Sequence, residues 1–373
     1  MLRAPKDPID AVTHPNPYAY YTALRESSPV HWIPEYRTWA VVSAQAIGTV
    51  LRLDCAKVRP PSAPIPDFLH GTLAGEVFGS LARMNDGEAH AYQRERVLRL
   101  MRKVTAMDVA TQAEEVVAAV SAVWSARLDG RSINEIVRRM PVMTVLAALG
   151  IRPELHEAMF ASTVAWVTGL SPLASNSEQQ SAIDAMACLS SMLAEHGVKS
   201  IKDAAAYIAL LMQPHDGTVG LIGAGLLRLA EDVHLREAAV TGKLPWDRFG
   251  AEVLRHDPPI QNTRRTLAAD ATIEGTHIRP GDSVLLVLAA AARDPALYEA
   301  PDIFELDRDP GTPLALGSGA HVCPGWTMAL SIAVCTWRHI VERASTPTIE
   351  SLARGVSWQA SVNARIPIFG TQT

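Results

Sequence analysis

The chain has 373 residues, 48% of them hydrophobic, which is enough to bury a large core. Its formal net charge is −5, from 34 Lys and Arg against 39 Asp and Glu. This balance argues against a nucleic-acid-binding protein, which is usually strongly basic. No linker-like or low-complexity stretch divides the sequence, so we expect one domain over residues 1–373, mainly α-helical.

The four cysteines are scattered along the chain and form no CxxC pair: Cys55, Cys188, Cys323 and Cys335. A disulfide framework is untypical of a chain this long, so we expect a reducing compartment. The N-terminal segment contains no apolar run of signal-peptide or membrane-anchor length. We therefore predict a cytoplasmic protein that needs no membrane and no nucleic acid as partner.

Apolar residues recur at helical spacing along most of the chain, and short β-rich runs occur near the start and after residue 270. Val30–Trp32 and Trp39–Val42 predict a hairpin around a turn at Pro34–Arg37. Residues 57–85 contain four prolines and several glycines, which predicts a long irregular loop. Helices are predicted at 16–27, 44–53, 88–103, 107–128, 132–149, in two parts of 155–199, at 245–255 and at 326–343, and strands at 271–278 and 283–287.

Residues 201–232 form a long apolar segment that is a candidate for a central helix. It contains Pro214, which lacks a backbone donor and kinks a helix, and Gly217, which loosens one. We therefore expect a kink in the helix at Pro214 and a looser helix at Gly217.

A glycine-rich loop, residues 307–325, precedes the last long helix and surrounds Cys323. Glycine allows positive φ and a close approach of the backbone to a flat ligand. Pro324 suits the first position of a helix, which would place the sulfur at a helix N-terminus, where amides and the helix dipole favour a thiolate. A thiolate is a soft, electron-rich ligand for iron. The alternative is a buried structural cysteine beside a glycine turn.

This loop resembles the ligand loop of the cytochrome P450 family, Phe-x-x-Gly-x-x-x-Cys-x-Gly. Gly319, Cys323 and Gly325 match it, and Leu316 stands where the family usually has phenylalanine. The resemblance, to soluble bacterial members and over nearly the whole chain, implies a mainly α fold with small β-sheets (α+β) that encloses haem b. It implies that Cys323 is the iron ligand and that Gly317, Gly319 and Gly325 border the haem.

Further motifs occur in the family's order. His90 and Arg94 match a His-x-x-x-Arg pair and lie on one face of a predicted helix. Arg265 matches the family arginine that reaches a haem propionate, and His321 matches a position beside the same group. The resemblance implies that these four side chains bind the haem; for His90 the alternative is a solvated helical histidine.

Glu252 and Arg255 match the family's Glu-x-x-Arg, a structural pair on a helix behind the haem. The resemblance also implies that Arg308 belongs to the same structural unit. The alternative for the pair is an ordinary solvated contact on a helix surface.

The family's central helix carries Ala-Gly-x-Asp/Glu-Thr-Thr above the iron, where the acid and the first threonine relay protons. Here residues 213–218 read Gln-Pro-His-Asp-Gly-Thr. Asp216 keeps the acid, and Gly217 replaces the relay threonine. We therefore expect Asp216 to act in catalysis, with Thr218, His215, Gln213, water or the substrate supplying the missing relay.

The resemblance implies a haem-thiolate monooxygenase that inserts an oxygen atom from dioxygen into a small organic substrate. Because the relay threonine is absent, the alternative is a haem-thiolate enzyme that uses peroxide or catalyses oxidative coupling, rearrangement or dehydration. A non-catalytic haem protein, such as a gas or haem sensor, is the third possibility. Segments expected to border the substrate are 57–85, 155–199, 213–218 and 260–263.

A monooxygenase of this kind needs electrons, and we expect a ferredoxin or similar small acidic donor. Four basic residues in the predicted helix 88–103 form a candidate docking face: Arg96, Arg99, Arg102 and Lys103. The alternative is an ordinary solvated basic face.

Overall fold

The computed structural model of the chain describes residues 3–104, 106–123, 128–309, 311 and 313–370. Within these ranges the fold is mainly α-helical with small β-sheets. The helices are α1 (Tyr18–Ser27), α2 (Ala44–Arg52), α3 (Leu73–Gly79), α4 (Gly87–Lys103), α5 (Ala106–Ala122), α6 (Gly130–Ala148), α7 (His156–Gly169), α8 (Asn176–Glu195), α9 (Ile201–Glu231), α10 (Val233–Val240), α11 (Trp246–His256), α12 (Leu288–Ala292), α13 (Trp326–Arg343) and α14 (Thr346–Ser351).

The β-structure comprises one five-stranded sheet and two hairpin-like pairs within the described residues. The strands are β1 (Val30–Ile33), β2 (Thr38–Val41), β3 (Ala56–Lys57), β4 (Thr263–Leu267), β5 (Ala271–Ile273), β6 (Thr276–Ile278), β7 (Ser283–Leu286), β8 (Ser357–Trp358) and β9 (Pro367–Ile368). The large sheet has the order β1-β2-β7-β4-β3, in which β2 and β7 are parallel and the other neighbours antiparallel. The smaller pairs are β5-β6 and β8-β9.

Polar residues at helix starts satisfy backbone amides that have no partner within the helix. Asp129 accepts a hydrogen bond from the amide of Ser132 at 2.8 Å, and the Ser132 hydroxyl accepts one from the amide of Asp129 at 2.7 Å. Ser175 and Glu178 form the corresponding pair at the start of α8. These reciprocal caps fix the starts of α6 and α8.

Helix α9 runs through the middle of the helical part and packs against α4, α6, α11 and α13, among others. Trp337 of α13 is fully buried, and its indole Nε1 donates to the carbonyl of Ile222 at 2.8 Å. A Cβ atom at Gly225 would lie only 2.3 Å from Cζ2 of that indole. Glycine at 225 is therefore required for the close approach of α9 and α13.

The hairpin at the start of the chain and most predicted helices are confirmed, with end shifts of a few residues. The expectation of an irregular loop over residues 57–85 was wrong in part, because α3 lies within it. The Thr72 hydroxyl caps this helix by accepting from the amide of Gly75 at 3.1 Å, and Val77 and Phe78 are buried. Tertiary burial thus outweighs the low helix propensity of a glycine-rich segment.

Other differences concern short elements. The sequence did not predict β4 or α10, and the single strand expected over 271–278 is the antiparallel pair β5-β6, which reverses at Glu274 and Gly275. Both turn residues have positive φ, 46° and 77°. Residues 124–127 of the helix predicted over 107–128, and residues 310 and 312 of the loop predicted over 307–325, lie outside the described residues.

The central helix predicted over residues 201–232 is confirmed as α9, which is continuous from Ile201 to Glu231, and the kink at Pro214 stays a prediction. Pro214 has no N–H, so the carbonyl of Leu210 lacks its usual helical donor. The flanking turns are buried against neighbouring helices, and this packing holds the helix together across the proline. Among the described helices, none combines the length and apolar character that a membrane span requires.

Candidate functional site

The loop that carries Cys323 uses glycine at two positions where other residues would be strained. Gly317 has φ of 79° and Gly319 has φ of 67°, both in the left-handed region that favours glycine. The amide of Cys323 donates to the carbonyl of Leu316 at 2.8 Å and closes the loop. The positive φ predicted for this segment is confirmed.

The sulfur of Cys323 lies at the start of α13. Helix α13 begins at Trp326 with Gly325 as its N-cap, so the prediction that Pro324 occupies the first helical position was wrong. Pro324 instead turns the chain just before the cap. The backbone amides of Gly325 and Trp326 nevertheless lower the pKa of the thiol, as expected at a helix N-terminus.

Opposing effects act on the protonation of this thiol. Burial raises the pKa of Cys323, while the amide of Gly325, the Arg94 guanidinium and the amide of Trp326 lower it. A buried thiolate at this position therefore needs a further positive charge in contact with the sulfur. The iron of a haem would supply that charge, so the sulfur fits the role of an axial ligand.

Arg94 connects helix α4 to the cysteine loop. Its guanidinium donates to the carbonyl of Val322 at 2.9 Å, directly before Cys323. His90, one turn earlier on α4, is 5% exposed, and its ring lies 4.1 Å from that of His321. Burial lowers the pKa of both imidazoles, that of His321 to about 4. The structure thus brings together three of the four predicted propionate ligands.

Arg265 of β4, the fourth, is buried and donates to the carbonyl of Arg264 at 2.7 Å. Burial lowers the pKa of its guanidinium, whereas the nearby carboxylate of Asp86 raises it. Asp86 also lies 3.4 Å from Nε2 of His321 and accepts from the amide of Val58.

We refer to His90, Arg94, Arg265 and His321 as the basic cluster. In the described part of the chain, neither Arg94 nor Arg265 has a carboxylate within 4.0 Å, and Asp86 alone cannot balance two guanidinium charges. Uncompensated cations in a partly buried site are costly unless an anion binds there. The two propionates of haem have the required charge, so the basic cluster fits the cofactor.

Glu252 and Arg255 form the predicted structural pair in the core behind this loop. Their side chains are 2% and 0% exposed, and Arg255 Nε donates to a Glu252 carboxylate oxygen at 3.0 Å. Arg308 Nε lies 3.6 Å from the same carboxylate, and Arg255 also donates to the carbonyl of Ile303. The predicted association of these three charged residues is confirmed, and a solvated surface pair is excluded.

The middle of α9 has an accessible face, although the turns on either side are buried. Gln213, Pro214, Asp216 and Gly217 are accessible to solvent within this enclosed helix. Accessible surface at the centre of a packed fold must border an internal cavity, which we call the central cavity. A Cβ atom added at Gly217 would meet only Ile260 Cγ1, at 4.0 Å, so the cavity has room beside this residue.

Of the three predicted catalytic residues, Asp216 lies on the accessible face of α9, whereas His215 and Thr218 lie on a buried face. Asp216 is on the accessible face, and one of its carboxylate oxygens lies 2.8 Å from Nδ1 of His215. His215 and Thr218 are 8% and 1% exposed, and neither the Nε2 atom nor the Thr218 hydroxyl has a hydrogen-bond partner among the described residues. Their catalytic roles stay predictions.

Sequence reasoning missed Arg83, which lies in the short turn Ala82–Met84 before α4. Its side chain is accessible, yet burial lowers the pKa of the guanidinium and the field of Asp216 raises it. The Arg83 side chain is thus accessible to solvent although protein atoms surround it closely. This combination again indicates a side chain that lines the central cavity. A basic residue shortly before the His-x-x-x-Arg pair was the only available signal.

The candidate docking face is less basic than the sequence suggested. Arg96 forms an ion pair with Asp203 and a hydrogen bond with Tyr92, and Arg102 pairs with Glu95. The two remaining members, Arg99 and Lys103, are exposed.

Comparison with known proteins agrees with this site. A family model described as Cytochrome P450 matches residues 247–343, which include the Glu252–Arg255 pair and the Cys323 loop. The biotin biosynthesis cytochrome P450 of Bacillus subtilis (strain 168) is 38% identical over 125 residues, 33% of this chain and 31% of that protein. This chain therefore aligns with less than two thirds of that relative.

Two longer alignments cover most of the chain. The cytochrome P450 BJ-1 homolog of Sinorhizobium fredii (strain NBRC 101917 / NGR234) is 28% identical, with 87% of each chain covered. The structure of P450BioI in complex with an acyl carrier protein ligated with hexadec-9Z-enoic acid superposes with a TM-score of 0.79 at 21% identity, covering 95% of this chain and 99% of that one. These matches are all to cytochromes P450, and members of that family are haem-iron proteins.

Proposed function

We propose that this protein is a haem-thiolate monooxygenase that inserts an oxygen atom from dioxygen into a small organic substrate. The observation that carries the proposal is the placement of the Cys323 sulfur at a helix start, next to a basic cluster without matching carboxylates. The sulfur suits a metal that binds a soft ligand, and the basic cluster suits two acidic groups of the same cofactor. When bound, the haem supplies iron that activates oxygen.

Different residues of the chain would bind different parts of the cofactor. Cys323 would ligate the iron, and the two loop glycines with positive φ would let the backbone pass close to a flat macrocycle. The basic cluster would bind the propionates. Arg94 would have a second role, because its hydrogen bond to the carbonyl of Val322 connects the propionate-binding residues to the loop that carries Cys323.

Asp216 is the best-supported proton donor on the substrate side. It is the acid on the accessible face of α9, and its carboxylate contacts Nδ1 of His215. We propose that this carboxylate delivers protons to the reacting oxygen and that the adjacent imidazole restores them. Thr218 is buried on another face of α9, so its hydroxyl can take part only through a change in its surroundings.

A second candidate function is peroxide use, or an oxidative coupling, rearrangement or dehydration of the substrate. The absence of a hydroxyl from the accessible face of α9 supports it, because that face consists of Gln213, Pro214, Asp216 and Gly217. Chemistry that starts from peroxide needs fewer protons delivered from the protein. Asp216 beside the cavity favours the monooxygenase.

The electron donor in this proposal is a ferredoxin or similar acidic protein, and Arg99 and Lys103 are the exposed cations available to it on α4. A cytoplasmic location also belongs to the proposal. It is supported by the four cysteines, all of which are free thiols.

The test compares two ways of driving turnover with the purified holoprotein and a panel of small organic substrates. One series supplies a ferredoxin, its reductase and reduced nicotinamide, and the other supplies hydrogen peroxide alone. The proposal expects oxygenated product that carries label from ¹⁸O₂ in the first series. Product formed only with peroxide, or product without label from ¹⁸O₂, would favour the second candidate.

A further inference from the structure

Arg83 has a well-fixed backbone but a side chain without a partner. The turn that carries it is held by Asn85, whose side-chain amide donates to the carbonyls of Gly79 and Leu81, each at 2.8 Å. Leu81 is fully buried and Ala82 is 8% exposed. A rigid turn of this kind positions the Arg83 side chain even where the side chain itself makes no contact.

The surroundings of Arg83 place it on the wall of the central cavity. The turn packs against α4, and α4 packs against α9. The charges that act on Arg83 are Asp216 on the accessible face of α9 and Arg265 in the basic cluster. The Arg83 side chain is exposed although Leu81 and Ala82 beside it are buried, so the guanidinium faces open space within reach of both charges.

No described residue neutralises this guanidinium. Arg83 has no hydrogen bond and no ion pair within 4.0 Å in the described part of the chain, and Asp216 contacts His215 instead. A partly desolvated guanidinium without a partner is unfavourable, and a carboxylate is its geometric complement, since it can accept two parallel hydrogen bonds. The Arg83 guanidinium thus favours an anionic partner.

We propose that Arg83 binds a carboxylate of the substrate, so that the protein acts on small organic acids in their monoanionic form. This inference rests on the proposed function and names its substrate class. One guanidinium faces a cavity that already contains the carboxylate of Asp216. One carboxylate would form a neutral pair with the guanidinium, whereas a phosphate dianion would add a further negative charge to that of Asp216.

The competing role for Arg83 is a further ligand of a haem propionate. The basic cluster already supplies two guanidinium groups and two imidazoles for two carboxylates. In addition, the field of Asp216, on the accessible face of α9, raises the pKa of Arg83. The experiment must nevertheless separate the two roles by measuring haem content.

Ligands with an imidazole at one end provide a probe, because the imidazole nitrogen binds haem iron and shifts its main absorption band. We would titrate the holoprotein with ω-imidazolyl alkanoic acids of increasing chain length and with their primary amides, which match them in size but not in charge. The proteins are the wild type, Arg83→Gln, Arg83→Lys and the exposed control Arg354→Gln.

At one or more chain lengths, we expect the acid to bind the wild type at least about tenfold more tightly than its amide. Arg83→Gln should abolish this preference while retaining haem, Arg83→Lys should keep part of it, and Arg354→Gln should keep all of it. No acid preference at any length in the wild type would overturn the inference, as would a preference that survives in Arg83→Gln. Haem loss from Arg83→Gln would assign Arg83 to a propionate. Failure of the wild type to give any imidazole-induced shift would instead contradict the proposed function itself.

Discussion

The Cys323 loop and the accessible face of α9 differ in how closely they follow the family pattern. Around the loop, Gly319, Cys323 and Gly325 match, and the two positive φ angles show why glycine is needed. On α9 the acid is kept as Asp216, but Gly217 replaces the relay hydroxyl and leaves open space. The Cys323 loop thus keeps the family residues where the backbone conformation requires them. The accessible face of α9, where oxygen would react, departs from the family pattern although the helix itself is retained.

The first prediction concerns the buried pair behind the ligand loop. Glu252→Ala leaves the fully buried charge of Arg255 without its partner, which should lower the free energy of unfolding by about 3–5 kcal/mol. Urea unfolding followed by circular dichroism measures the change. Asp307→Ala is the matched control, because its ion pair with Arg248 is exposed, and we expect little change there. Equal losses in both variants would show that burial does not decide the effect.

The second prediction tests the altered oxygen side. Asp216→Asn removes the acid, so product formed per reduced nicotinamide consumed should fall about tenfold or more, with a matching rise in hydrogen peroxide. Gly217→Thr is the companion variant, because the cavity has room for its side chain. It should leave coupling unchanged or improve it. Tight coupling that persists in Asp216→Asn would contradict a proton-delivering role, and a damaging Gly217→Thr would favour chemistry without dioxygen.

The third prediction concerns the basic cluster on the preserved side. Arg265→Gln removes a buried guanidinium from the propionate site, so transfer of haem to an acceptor apoprotein should become about tenfold faster. Arg236→Gln controls for burial, because Arg236 is 6% exposed but binds Glu350 and backbone carbonyls elsewhere. Arg354→Gln is the exposed control. Equal haem loss from Arg236→Gln would mean that the effect is general destabilisation.

The smallest expected effect lies on the surface of α4. Arg99→Glu reverses an exposed charge without a described ion pair, and we expect a few-fold slower electron transfer from a ferredoxin at low salt. The difference from wild type should vanish as salt rises, because exposed charges are screened. Rapid-mixing absorption spectroscopy measures the rate, with Arg354→Glu as control. If the electron-transfer rate changes with neither salt nor charge reversal, the docking site lies elsewhere.

Local chemistry explains which features could be predicted from the sequence. Positive φ at Gly317 and Gly319, the contact between Glu252 and Arg255 and the extent of α13 all follow from short spacings in the chain. The same reasoning failed for Pro324, since whether a proline occupies the first or an earlier position depends on the cap that follows it.

Features set by tertiary packing could not be predicted. Pro214 weakens the middle of α9 locally, and it is the packing of neighbouring helices that keeps α9 continuous. Helix α3 forms because Val77 and Phe78 are buried, against a local composition that favours a loop. Arg83 was missed because no spacing rule indicates that a side chain in a turn faces a cavity opposite Asp216.

The central claim, that Cys323 is the axial ligand of haem iron, is tested most directly by the spectrum of the reduced protein with carbon monoxide. The wild type should show the red-shifted band of a thiolate-ligated haem, and Cys323→Ala should lose it. Cys188→Ala, which removes an exposed thiol, should keep it, as should the Cys55 and Cys335 variants. A red-shifted band that survives in Cys323→Ala would contradict the account.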